Sequence, residues 1–376
     1  MGPALLERDC RLAYQLYGTG VYTDPFTGPG NPNGDGIQMN VSGSSLNRST
    51  LQCEPIDLQC GIRGSGAAHD RRPSDTEPLL IFLHLAKTGG VSLSSILQKN
   101  ICTSNFLRIN QDTISTSALG TWAISDVVDA FCRLTDEQMR NLRAAWGHFP
   151  GSLSGYLQQN SRLITLIRDP VDRIVSAYYY SKSLLEAKGT PLSVSLEDYV
   201  QRKEHYDLGF ENYMTRVVSG ISELDPLEKN KTTGNSRAVT ETDFRCASSR
   251  LYDYMLVGLT DRFDETLILL AEDLRWSLAD IVYTPCNVTP LRPSLAEIPG
   301  HVATQIEKFN VFDRALHQQA RQLLDRRITD YQGEFARDLA IFRELNCLYN
   351  SGLDANALAE IECQLSTASQ RNGALG

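Results

Sequence analysis

The residues best suited to chemistry form the run Lys87-Thr88-Gly89-Gly90-Val91-Ser92. A compact apolar run, Leu79 to Leu83, precedes it, and helical spacing of Val91, Leu93, Ile96 and Leu97 follows. A buried strand, a glycine turn and a helix aim backbone N–H groups and the positive end of a helix dipole at one spot, which makes a site for an anion. Gly89 and Gly90 let the backbone come close to a phosphate. Lys87 adds a mobile positive charge, and Ser92 a hydroxyl donor from the first helical turn. In a Walker A loop lysine follows the glycines and the next hydroxyl holds magnesium. Here lysine and threonine come first, which argues against an NTPase. Taken alone, the stretch also reads as an ordinary strand–turn–helix joint with an exposed lysine.

Two further constellations follow. The apolar run Leu163 to Ile167 ends in Arg168-Asp169-Pro170, and Val171, Ile174, Val175 and Tyr178 then mark one helical face. Asp169 suits an N-cap and Pro170 the first helical position. Ser176 lies about two turns in, roughly 9 Å along the axis from Pro170. An arginine fork and a serine hydroxyl around a helix start can clamp a phosphate, although a surface ion pair beside a cap has the same composition. The third is Trp146-Gly147-His148-Phe149-Pro150, which ends a strand just upstream. Histidine suits removal of a hydroxyl proton at neutral pH, and a histidine satisfied in the core is the competing reading. His84 precedes the glycine turn on a buried strand and reads as structural. His69, His205, His301 and His317 have no supporting context.

The run His84 to Ser92 resembles the 5′-phosphosulfate loop of the carbohydrate sulfotransferases that include the heparan sulfate 2-O- and 6-O-sulfotransferases. Arg168-Asp169-Pro170-Val171-Asp172-Arg173 through Ser176 and Tyr178-Tyr179 resembles their 3′-phosphate motif. The resemblance implies 3′-phosphoadenosine 5′-phosphosulfate (PAPS) as sulfuryl donor and a hydroxyl acceptor, most simply a glycan. It implies that Thr88, Gly89, Gly90, Val91 and Ser92 hold the 5′-phosphate while Lys87 stabilises charge on the bridging oxygen. Arg168 and Ser176 take the roles of 3′-phosphate ligands, and His148 that of catalytic base. Val91 departs from the threonine often found there, which removes one side-chain donor. Asn212-Tyr213-Met214-Thr215-Arg216 with Gly220, Val257 to Asp264, and Asn287-Val288-Thr289 with Arg292-Pro293 extend the similarity over about residues 79–330. No metal is required by this chemistry. Two other classes stay open, a catalytically silent glycan- or nucleotide-binding module and a nucleotide phosphotransferase with a variant phosphate loop.

Composition bounds these readings. The chain has 376 residues, 41% hydrophobic, enough for one sizeable core. Net charge is −9 and the pI ≈ 5.3, so no global basic field draws in nucleic acid or polysaccharide. Arg321, Arg326 and Arg327 form a local basic cluster or a solvated helix face. The nine cysteines include no C-x-x-C, and Cys53 and Cys60 are the closest pair, a weak lean toward disulfides. Triplets N-x-[ST] start at Asn40, Asn47, Asn230 and Asn287, which permits a lumenal setting. Neither a membrane-spanning run nor a signal peptide is visible, whereas many eukaryotic relatives are Golgi membrane proteins. The expectation is a soluble relative, or a Golgi lumenal one whose start is missing.

The elements that must position these residues follow from periodicity. Strands are expected at 79–83, 144–148, 163–167 and 254–259, with helices after 90, over 136–143 behind a Thr135/Gln138 capping box, near 152–159, after 170 and over 262–274. Alternating strands and helices predict an α/β fold, a P-loop-like parallel sheet flanked by helices on both faces. The last third reads as helical. Residues 1–77 read as an irregular extension beyond a short amphipathic stretch at 1–17, 78–346 as a single sulfotransferase domain, and 347–376 as a weakly structured tail.

Overall fold

The computed structural model describes residues 78–101, 105–109, 127, 130–131, 133–155, 161–189, 191–201, 210–220, 237–285 and 292–373. The expected extension 1–77, the Cys53/Cys60 pair, the four Asn triplets, His69 and His205 lie outside them.

Five strands form one parallel sheet: β1 (Leu79–Leu83), β2 (Phe106–Ile109), β3 (Ala144–Gly147), β4 (Ser161–Ile167) and β5 (Leu256–Leu259), in the order β2-β3-β1-β4-β5. Ile81, Phe82 and Leu83 are fully buried, as near-continuous apolar runs in a covered parallel sheet should be. The strand not expected from sequence is β2. Its four residues Phe-Leu-Arg-Ile are too short for period-2 alternation to stand out, and pairing with β3 fixes it instead.

The flanking helices are α1 (Gly90–Asn100), α2 (Asp136–Asn141), α3 (Pro170–Ala187), α4 (Leu196–Gln201), α5 (Tyr213–Ser219), α6 (Glu241–Asp253) and α7 (Phe263–Leu274). Their starts obey local chemistry. Thr135 and Gln138 close the anticipated capping box, and Asp169 accepts from the Asp172 N–H with Pro170 at the first position. The element expected near 152–159 is a 3₁₀ turn, Gly151–Gly155.

The helical last part comprises α8 (Gly300–Phe309), α9 (Val311–Thr329), α10 (Phe335–Asn350) and α11 (Ala355–Gly373). The last of these corrects the expectation of a weakly structured tail from 347. Leu358 is fully buried, Ile361 and Leu365 pack on the same core, and Glu362 accepts from the Leu278 and Ala279 N–H groups. That short apolar stripe gains its meaning from the surface it covers. A smaller second core joins α3, α4 and α8 through Val171, Ile174, Val175, Val200, Val302 and Ile306. No helix among the described residues is long and apolar enough to cross a membrane.

Candidate active site

The connections leave β1 toward β3 and β2 on one side and toward β4 and β5 on the other. The direction reverses at β1, and the crevice at such a reversal, outside the carboxyl ends of the strands, is where α/β sheets bind ligands. Register sets the levels there. Leu83 pairs with Gly147, so His84 and His148 leave the sheet flush. Leu83 also pairs with Thr165, and Ile167 with Leu259, so Arg168 and Thr260 emerge about two residues, roughly 6–7 Å, further out.

The glycine turn sits in the step so formed. Lys87 and Gly89 both have left-handed backbones, φ 66° and 86°, an ordinary state for glycine and a strained one for lysine. The strain is held by neighbours on every side. Arg168 Nη1 donates to the Lys87 carbonyl at 2.8 Å, and the Thr260 hydroxyl donates to the Thr88 carbonyl at 2.7 Å. Thr88, fully buried, donates to the Leu85 carbonyl at 2.9 Å, and Ala86 N–H donates to the Tyr213 hydroxyl at 3.2 Å. Helix α1 makes its first intrahelical bond from Leu93 to Gly89, so the N–H groups before it belong to the unbonded first turn.

Three cations converge on this turn. Arg168 Nε donates to Asp172 at 2.6 Å, and Arg292 pairs with the other oxygen of the same carboxylate. Lys87 Nζ stands 3.7 Å above the Tyr180 ring. Asp172, Ser176 and Tyr180 are spaced i, i+4, i+8 on α3, so Ser176 lies on one stripe between the residue that meets both arginines and the residue that meets Lys87. Burial, with Arg168 and Arg292 adding repulsion, brings the Lys87 amine down to about 7. Burial likewise lowers Arg168 and Arg292 to about 10, which leaves both charged at neutral pH. Crowded, partly desolvated cations are what a multivalent anion relieves.

His148 Nδ1 lies 2.8 Å from the His84 carbonyl. Because a carbonyl only accepts, Nδ1 carries the hydrogen and Nε2 keeps its lone pair, the tautomer a base needs. Burial pushes His148 down to about 4, so it is neutral at physiological pH. Its ring stacks on His84 at 4.3 Å, and His84 in turn touches Trp146 and Phe82.

The structure therefore brings together the glycine turn, Lys87, Arg168, the Ser176 stripe and, through His84, His148. Sequence reasoning gave no role to Arg292, Tyr180, Tyr213 or Thr260. Tyr180 was legible as the next i+4 position after Ser176, and Arg292 only as part of a matching loop whose Asn287-Val288-Thr289 lies outside the described residues. Other motif residues prove architectural. Asn212, in a left-handed conformation, donates to the Phe309 carbonyl and accepts from the Phe312 N–H, while Asp313 accepts from the Met214 and Thr215 N–H groups. Arg173 lies buried over the Tyr213 ring. Arg321 and Arg327 bond Asp261 and Asp273, as on a solvated helix face. No group of three or more His, Cys, Asp or Glu side chains that could hold a metal occurs among the described residues.

Fold and site together define an α/β protein with a glycine turn after the central strand, Lys87, Arg168 and Arg292 around it, and a neutral imidazole nearby. The chain belongs to the Galactose-3-O-sulfotransferase family, whose family model matches residues 53–348. Among its relatives, galactose-3-O-sulfotransferase 3 of Bos taurus is 25% identical over 44% of this chain and 38% of its own length. The Homo sapiens protein of that name is 26% identical over 41% of this chain and 35% of its own. Galactosylceramide sulfotransferase of Homo sapiens is 22% identical over 81% of this chain and 70% of its own. The matches to galactose-3-O-sulfotransferase 3 thus span well under half of those relatives. The resemblance to carbohydrate sulfotransferases is borne out, with the galactose 3-O group as the matching family.

Proposed function

We propose that the protein transfers a sulfuryl group from PAPS to a galactosyl hydroxyl, the 3-hydroxyl by the names of its family and relatives, with residues 78–346 as the catalytic domain. The observation that carries this is the convergence of Lys87, Arg168 and Arg292 on one glycine turn at the end of the central strand. The strand order and that turn support a P-loop-like scaffold. A donor with both a 5′-phosphosulfate and a 3′-phosphate matches two clusters of donors better than a single phosphate does.

In this reading the N–H groups of Thr88 to Val91, with Ser92, hold the 5′-phosphate. Arg168 and Ser176 hold the 3′-phosphate, with Arg292 beside them; two of the Arg168 nitrogens already serve Asp172 and the loop, so Nη2 is the one to reach the ligand. The acceptor oxygen attacks sulfur as the bond from sulfur to the bridging oxygen breaks, and PAP leaves. Lys87 meets the charge that develops on that oxygen, and His148 Nε2 takes the acceptor's proton. Positioning supplies most of the rate, as in phosphoryl transfer.

The test is incubation of the full chain with radiolabelled PAPS and a panel of galactosylceramide, galactose-terminated oligosaccharides and heparan sulfate. Label on the galactosyl acceptors is the expected result. Absence of transfer despite tight PAP binding would favour a silent binding module, and magnesium-dependent ATP turnover without response to PAPS would favour a phosphotransferase.

A further inference from the structure

We propose that the His84 side chain is a positioning residue, a flat spacer wedged between the phosphate turn and His148 that sets where the base stands relative to the donor. The inference deepens the reading of His148 as base and rests on it.

The wedge is visible from each side. The His84 N–H donates to the Gly147 carbonyl at 2.9 Å, which carries the β1–β3 ladder one step past the strands, and the His84 carbonyl receives Nδ1–H of His148. One face of the ring stacks on His148 with 26° between planes. Toward the turn, a Cβ added at Gly90 would run into Cδ2 and Nε2 of His84, so glycine at 90 is what makes room for the ring. Trp146 and Phe82 lie 5.4 and 5.6 Å away, centroid to centroid.

The ring is only 7% exposed, and its Nδ1 finds no hydrogen-bond partner among the described residues. Its place is set by its faces and edges rather than by a polar bond. Burial, and then the neighbouring His148, Lys87 and Arg108, keep it well below the usual imidazole range. It is therefore neutral and adds no repulsion when His148 accepts a proton. A rigid stack of this kind fixes a base to within the fraction of an ångström that in-line transfer demands.

The test compares His84→Leu with His84→Phe in the full chain. Both keep the backbone carbonyl that fixes the His148 tautomer, and only phenylalanine keeps a flat ring. His84→Leu should lower kcat roughly 10- to 100-fold with the Kd for PAP unchanged, while His84→Phe stays within about threefold of wild type. His84→Met replaces the leucine variant if that one does not fold. Wild-type kcat in the aliphatic variant overturns the proposal. So does a loss in His84→Phe as large as in His84→Leu, which would give the ring nitrogens the role. A His148→Ala control separates the two readings. If that control is inactive while His84→Leu is normal, only the spacer fails, and if it is fully active the base assignment itself fails.

Discussion

Lys87 couples a left-handed backbone to an amine brought down to about 7, against an unfolded value near 10.5. Between those values the unfolded chain binds the proton and the folded chain does not, so the burial penalty is present below about pH 7 and is relieved as pH rises toward 10.5. Bound phosphates should restore the proton. At pH 8, PAP binding is expected to take up protons, read as a dependence of the calorimetric enthalpy on the buffer's ionisation enthalpy, and Lys87→Ala should remove that dependence. The same variant should lower kcat by about 100-fold or more, with PAP affinity weakened less. Near-normal turnover would reduce the lysine to a docking charge. His148 titrates far from a free histidine, at about 4. The wild-type rate should therefore hold level through neutral pH and fall only as pH drops through about 4, and His148→Ala should lose roughly 10²–10⁴-fold in kcat. A wild-type acid limb near 6.5 would mean that the imidazole is not buried as described.

At the scale of elements, the site is a joint between helix α3, the end of β5 and the turn before α1. The Thr260 hydroxyl ties the end of β5 to the Thr88 carbonyl. Thr260→Val is isosteric and removes that bond, and it should weaken PAP binding about tenfold, the scale of one hydrogen bond. Unchanged PAP affinity in a titration would show that the remaining bonds of Arg168, Thr88 and Tyr213 fix the turn without Thr260. The Asn212 network does a different job, locking α5 to the start of α9. Asn212→Ala deletes a donor to Phe309 and an acceptor for Phe312 and should cost about 2–4 kcal/mol in denaturant unfolding, with kcat per folded molecule little changed.

At the scale of the molecule, the reversal at β1 sets the Lys87–Ser92 turn and Arg168 on adjacent strand ends, so under the proposed reading a ligand with two phosphates is held by two rigid elements at once. PAP should raise the Tm more than AMP does, because only PAP carries the 3′-phosphate. Arg168→Ala combined with Ser176→Ala should make the two nucleotides equal. Equal shifts in the wild type would remove these residues from the 3′-phosphate role.

By itself the sequence determined what short-range chemistry controls. The strand–turn–helix around Lys87 to Ser92, the capping box at Thr135 and the Asp169-Pro170 helix start were all legible, because turn dihedrals and caps depend on residues within one helical turn. Four of the five strands were legible for the same reason, as apolar runs bounded by breakers. Only tertiary structure decided what those pieces face. The four residues of β2 and the sparse apolar stripe of α11 become elements because a partner buries them. His84 read as a buried strand-end histidine, which it is, yet the flush register of Leu83 with Gly147 is what stacks it on His148. Arg292 meets Asp172 and Tyr180 meets Lys87 across long separations in the chain, and no local pattern encodes such contacts: they exist once the parallel sheet has paid the entropy of bringing its strand ends together.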